Sequence, residues 1–376
     1  MTSEERHEAR YRRRKMRRMQ HRRNLHPGAD NYDAVFSFGA LWRSYRNCRK
    51  NVSWKGSVQR YILASPIRVA KTYRELAAHK YKCITPHEWD TWERGKKRHI
   101  KSVPIGERVM QRALADNALV PVLGPTFVYD NGACMKNKGY DFAMRRLVCH
   151  LSRYYRKYGS DGYILVFDFR KFYESIVHSI VERIVDKTYS DPWIRHMTRK
   201  IINTFGDVGL GLGSQISQIL ALATGSPLDH TIKQNLQIEE YARYNDDGYL
   251  IHTSKEYLWE CLKAMQEICD ELHINLNLKK TQIIKLSHGF KFLKARIYLT
   301  PTGKIIRKIP KRNITRERRK LKALRIKLNE GKVDLPHIEI QYQSWRANAK
   351  KYSNSWLTIQ NMDTLFFQLY IVKEAA

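Results

Sequence analysis

The rhythm of apolar and polar positions changes several times along this chain, and each change marks an element. Between residues 161 and 176, DGYILVFDFRKFYESI opens on a continuous apolar run of strand type, ends it at Asp168 and passes into helix-compatible sequence. DVGLGLGSQISQILALATGSPLDHTIK begins with glycines that permit unusual backbone geometry, then reads as a helix from about Ser214. In ARYNDDGYLIH, residues 242–252, two short runs of β-formers flank Asn-Asp-Asp-Gly, a hairpin pattern in which Asp-Gly is the strongest turn signal. An amphipathic helix follows over about 255–272, and INLNLKKTQIIKLSHGFKFLKARIYL reads as further strands. Strand, helix, hairpin, helix, strand is the order of a ferredoxin-like antiparallel sheet.

Outside this region the period is helical. Up to about residue 125, helical periodicity is interleaved with basic and aromatic residues. Beyond residue 301, Ile314, Leu321, Leu324 and Leu328 recur at helical spacing amid dense Lys and Arg, with Gly331 as a stop. The class is therefore α+β.

Charge adds a partner. The 376 residues carry 69 Lys and Arg against 36 Asp and Glu, a net charge of +33. Such a chain repels itself unless a polyanion is its habitual partner, and nucleic acid is the first expectation. The first 30 residues read as a basic arm. That arm lacks the apolar core of a secretory signal, and no apolar run approaches 18 residues, so a soluble, cytoplasmic protein with no membrane partner is expected. The six cysteines are scattered, with neither a C-x-x-C pair nor clustered His, which argues against a zinc knuckle or a disulfide framework.

Taken alone, the acidic turn at 246–247 is ordinary hairpin chemistry. Phosphoryl transfer to a hydroxyl, however, uses two divalent ions about 3.5–4 Å apart, which requires carboxylates converging from neighbouring strands. Asp168, at a strand end, and Asp246 with Asp247, in a turn, meet that requirement if their elements are adjacent. Mg²⁺ favours such hard oxygen ligands.

At these residues the chain resembles a family. YNDD, Tyr244 to Asp247, is similar to the Y-x-D-D box of reverse transcriptases, and DFRKFY, Asp168 to Tyr173, to their first aspartate motif. KKRHI (Lys96 to Ile100) with ERVMQRAL resembles the segment that holds the incoming triphosphate, GACMKNKG (Gly132 to Gly139) the next loop, LNLKKTQI the motif with a lysine near pyrophosphate, and GFKFLKARI the primer grip. The resemblance runs over about residues 40–370.

The resemblance implies a right-hand polymerase: basic arm 1–30, fingers 31–160 with a returning piece at 186–206, palm 161–300 built on the ferredoxin-like sheet, and a helical basic thumb 301–376. It implies an RNA-directed DNA polymerase with Asp168, Asp246 and Asp247 as catalytic residues that hold two Mg²⁺ ions, Mn²⁺ substituting, and with Phe169 as a further metal position. Lys96, Arg98, Tyr173, Leu212, Gly213, Gln218 and Lys280 are expected at the dNTP, Tyr173 as the gate against the ribose 2′-hydroxyl. Tyr244, Asn245, Lys138, Phe292, Leu293 and Lys294 are expected at primer and template. The implied partners are template RNA, the RNA–DNA hybrid and dNTPs.

Within the family, GLGSQISQ (Gly211 to Gln218) looks like the signature of diversity-generating retroelements, bacterial or phage-encoded, which copy a template RNA unfaithfully at adenines. Loss of a long polar side chain at Leu212 gives low fidelity a physical rationale, since fewer hydrogen bonds test the nascent pair. Membership would bring a structured RNA and a small helical accessory protein. Related lineages, of group II intron type or acting in antiviral defence, share the core, so a defence enzyme copying a non-coding RNA is the alternative. A catalytically dead RNA-binding scaffold would predict damaged carboxylates, and all three are present. Asn245 where an apolar residue is usual, Gly211 where Pro is common and Lys294 where Gly is usual depart from the pattern.

Overall fold

The computed structural model describes residues 26–371 apart from positions 94 and 354, with scattered positions among the first 25, so the basic arm at 1–30 falls largely outside the described residues. The amino-terminal part is helical: α1 (Phe38–Cys48), α2 (Ser65–Ala77) and α3 (Ile105–Leu114) pack together, and between α2 and α3 a hairpin of β1 (His87–Glu93) and β2 (Lys96–Ser102) extends. α4 (Tyr140–Tyr158) leads into β3 (Tyr163–Asp168). Then come α5 (His178–Thr188), α6 (Pro192–Asn203), α7 (Gln215–Gln234), β4 (Glu240–Tyr244), β5 (Asp247–His252), α8 (Lys255–Glu271) and β6 (Gln282–Lys285).

These four later strands form one antiparallel sheet in the order β4-β5-β3-β6. In chain order that is second, third, first, fourth, the ferredoxin-like arrangement. β3 shows why the apolar run is unbroken: Leu165 and Phe167 enter the main core with α7 and α8, while Ile164 and Val166 enter a second core with α4. Alternate side chains point to opposite faces, and both faces are covered. α7 is buried around most of its circumference, as a helix with apolar residues on all sides must be. Ser254 caps α8 by accepting from the Tyr257 amide.

A second antiparallel sheet, β7 (Phe290–Phe292), β8 (Ala295–Leu299) and β9 (Ile305–Lys308), closes the second core with Phe290, Phe292 and Ile297. The chain then enters a three-helix unit, α9 (Lys311–Asn329), α10 (Leu335–Ala349) and α11 (Trp356–Tyr370), around Leu321, Ile338, Tyr342 and Met362. Ile314, Leu324 and Leu328 pack against that core, and Gly331 follows α9 with φ 67°. No helix among the described residues is long and apolar enough to cross a membrane.

Candidate active site

β3 and β5 run antiparallel with Asp168 directly opposite Asp247. The turn that delivers Asp247 sits one step earlier than Asp-Gly composition suggests: Tyr244 pairs with Asp247, so the two-residue loop is Asn245-Asp246. Asn245 is left-handed at φ 54°, the sign that primed hairpin turns require and that Asn tolerates. Gly248 lies inside the strand instead, and its bare Cα is covered by Phe167, whose Cζ would stand 2.2 Å from an added Cβ. Packing of β3 on β5 thus decides the register, and the register faces the two carboxylates.

The carboxylates are held by specific contacts. The Asn277 side-chain amide donates to Asp168 Oδ1 at 3.0 Å, and Lys280 Nζ lies 2.7 Å from both Asp168 oxygens. The Asn277 main-chain amide binds the Asp168 carbonyl, and the Phe169 amide binds the Asp246 carbonyl. Burial and the charges of Asp246 and Asp168 push Asp247 up to about 7. Burial raises Asp246 too, together with the Asp168 charge, against the pull of Lys280 and Arg98. A site that resists carboxylate ionisation is one that a cation would relieve. Among the described residues the acidic groups do not close into a ready-made metal cage. The donor set, three carboxylates of hard oxygen, nevertheless fits a divalent ion of the Mg²⁺ type.

These carboxylates line an open cleft of about 960 Å³. Of the residues expected from sequence, it gathers Asp168, Asp246, Asp247, Arg98, Lys280, Tyr244, Phe292, Leu293 and Lys294. Lys279, Lys291, Arg296, Tyr140 and Gln282 join them, and sequence reasoning had not singled these out. Lys279, Gln282, Lys291 and Arg296 lie inside motifs already quoted, which was the available signal, whereas Tyr140 lies outside them. Leu293 and Lys294 form the β7–β8 turn with φ 45° and 67°, so Lys294 occupies a position where glycine is the relaxed choice.

Other expected residues stand elsewhere. Leu212 and Gly213 line a neighbouring cavity of about 380 Å³ with Lys101, Arg108 and Arg112. Gly211 lies flat on Phe205, with an added Cβ 2.3 Å from the ring, so a proline would clash there. Gln218 is half-buried in the first turn of α7 and lines neither cavity. The Phe169 ring is in the core against Phe167 and Phe172, leaving only its main chain for an ion. Tyr173 is set behind the cleft, its hydroxyl donating to Asn245 Oδ1 at 3.4 Å, and Cys134 Sγ meets the same oxygen. Lys138 donates to the carbonyls of Tyr129 and Asn131, away from the carboxylates. Lys96 opens β2 opposite Glu93, and its side chain lies outside the described residues.

Residues 86–297 match the family described as Reverse transcriptase (RNA-dependent DNA polymerase). No curated protein matches the chain. Among solved structures, telomerase from Candida albicans in complex with a TWJ fragment of telomeric RNA is 12% identical, with 65% of this chain and 49% of that chain covered at a TM-score of 0.49. Apo telomerase from Candida tropicalis, truncated from its C-terminal domain, is 13% identical over 65% of this chain and 60% of that one, with a TM-score of 0.43. The chain thus spans about half the length of the first of these.

Proposed function

The chain belongs to the reverse transcriptase (RNA-dependent DNA polymerase) family, and from that premise we propose that it copies an RNA template into DNA by nucleotidyl transfer at Asp168, Asp246 and Asp247. The observation that carries this reading is the register that sets Asp168 opposite Asp247 in a cleft ringed by Arg98, Lys279, Lys280, Lys291 and Arg296. Asp168, Asp246 and Asp247, with the Phe169 carbonyl, would hold the divalent ions, two Mg²⁺ with Mn²⁺ as a substitute. When bound, those ions supply activation of the primer hydroxyl and neutralisation of the triphosphate charge. Lys280, which contacts both Asp168 oxygens, would neutralise or protonate departing pyrophosphate. Arg98 brings a guanidinium from the β1–β2 hairpin to the same cleft, suited to phosphate oxygens. Tyr173, whose hydroxyl bonds the Asn245 side chain beside Asp246, would serve as the ribose gate only once a bound nucleotide reaches past the cleft lining to it.

Asp246→Ala abolishes primer extension while RNA binding persists, because the carboxylate holds metal and not template. Full activity in that variant, measured with dNTPs and Mg²⁺ on an RNA template, would sink the assignment.

For the cellular role, the Gly211 to Gln218 motif supports error-prone synthesis in a diversity-generating retroelement, with a dedicated RNA and a small helical accessory protein as partners. Sequencing cDNA made on the co-purified RNA separates this from a defence enzyme. Errors concentrated opposite template adenines are the expected result, and faithful or repetitive copying is the opposite one.

A further inference from the structure

Arg243 immediately precedes the YNDD box and is fully buried. Its Nε and Nη2 grip both oxygens of Asp229, at 2.7 and 2.6 Å, and Asp229 is as deeply buried. The hydroxyl of Tyr241, two residues earlier on the same strand, donates to that carboxylate as well. With the charge thus balanced, Nη1 is left to donate to the main-chain carbonyl of Asn245 at 2.9 Å. That carbonyl belongs to the peptide joining Asn245 to Asp246. The guanidinium therefore holds the turn at its left-handed residue, Asn245, φ 54°.

The other wall of this socket is α7. Nη2 also reaches the Leu222 carbonyl at 3.4 Å, and Gly225 lies under the guanidinium, where an added Cβ would sit 2.9 Å from Cζ. The segment TGSPLDH thereby supplies the space at Gly225 and the countercharge at Asp229. On its main chain, Arg243 donates to Asp130 and accepts from Gly132, tying the 130–132 loop to the same point.

A buried ion pair adds little net stability over an apolar pair of the same volume, since desolvation offsets the attraction. Its worth here is geometric. We propose that Arg243, oriented by Asp229, is a positioning residue that fixes the Asn245–Asp246 peptide and so sets Asp246 and Asp247 against Asp168. This rests on the reading of those three carboxylates as the metal-holding set.

The test compares the full-length protein with Arg243→Met/Asp229→Leu, which refills the socket with apolar side chains, and with Arg243→Lys, which keeps the charge but lacks the fork. Thermal unfolding, Mn²⁺ binding by electron paramagnetic resonance and primer-extension kinetics are measured on each. In both variants Tm stays close to wild type and KM for dNTP is unchanged, whereas kcat falls about 10²-fold, as expected for catalytic groups displaced by an ångström, and Mn²⁺ binding weakens. Wild-type kcat and Mn²⁺ affinity in the apolar double variant would make the pair merely structural and overturn the proposal. If that variant does not unfold cooperatively, Arg243→Lys decides, and wild-type kcat and Mn²⁺ affinity there overturn it equally. A wild-type protein that binds Mn²⁺ but extends no primer overturns the polymerase reading instead. The Arg243 grip is then judged on Mn²⁺ binding, with unchanged affinity in both variants counting against it.

Discussion

Asp247 carries the most informative titration at the scale of single residues. Its ordinary value is about 3.9, and in the fold burial, Asp246 and Asp168 lift it to about 7. A carboxyl raised on folding binds its proton more tightly in the native state, so its contribution to stability is present at low pH and is lost as pH rises through about 7. In EDTA, the wild-type protein therefore loses more Tm between pH 5 and pH 8 than Asp247→Asn does. Mg²⁺ acts in the opposite direction, because it needs the ionised oxygens and competes with protons for them. The Mg²⁺ concentration for half-maximal stabilisation accordingly rises as pH falls below 7. Calorimetric scans over pH, with and without Mg²⁺, check both; a pH profile of Tm in EDTA identical for wild type and Asp247→Asn would count against the burial argument.

Among the elements, the β4–β5 hairpin and the β7–β8 turn show what the pattern of residues could and could not reveal. Strand type, the hairpin and the ferredoxin-like order were legible because each depends on local periodicity and turn composition. The turn position was not, because Asp-Gly is the stronger local signal and what overrides it is the Phe167 ring lying on Gly248 from a strand 81 residues away in sequence. Gly248→Ala is thus a register probe: its Cβ overpacks the ring, costing about 1–3 kcal/mol, and pries Asp247 from Asp168. Urea unfolding should show the stability loss and primer extension a loss of activity, together. Lys294→Gly acts oppositely on stability. It relieves a left-handed residue, worth about 1 kcal/mol, so the urea midpoint rises with an unchanged m-value. Retention of primer–template weakens in the same variant, which a filter-binding measurement reads, and unchanged retention would remove Lys294 from the primer site.

For the whole molecule, composition announced a polyanion partner, and the structure distributes the cations in accord with it: Arg98, Lys279, Lys280, Lys291, Lys294 and Arg296 around the cleft, and Arg318, Arg319 and Lys322 along a groove between α9 and α11. The contacts that hold the site were not legible, since Asp229 with Arg243 and Asn277 with Asp168 join residues whose proximity exists only after folding. Nor was it legible that Leu212 and Gly213 would face a separate basic cavity, because motif order says nothing of which wall a loop turns toward. The two kinds of residue separate in their response to salt. Each phosphate neutralised adds about 0.7–0.9 to the slope of log K against log salt, so binding of an RNA–DNA hybrid weakens steeply as salt is raised. Arg319→Gln and Lys322→Gln each lower that slope by about 1 and leave kcat at saturating hybrid unchanged, since the residues lining that groove include none of those lining the carboxylate cleft. Asp246→Ala does the reverse, keeping the slope and losing kcat. A slope unaffected by the α9 substitutions would mean that the groove between α9 and α11 does not carry the nucleic-acid backbone, and would leave the cleft and the amino-terminal helices as the surfaces that do.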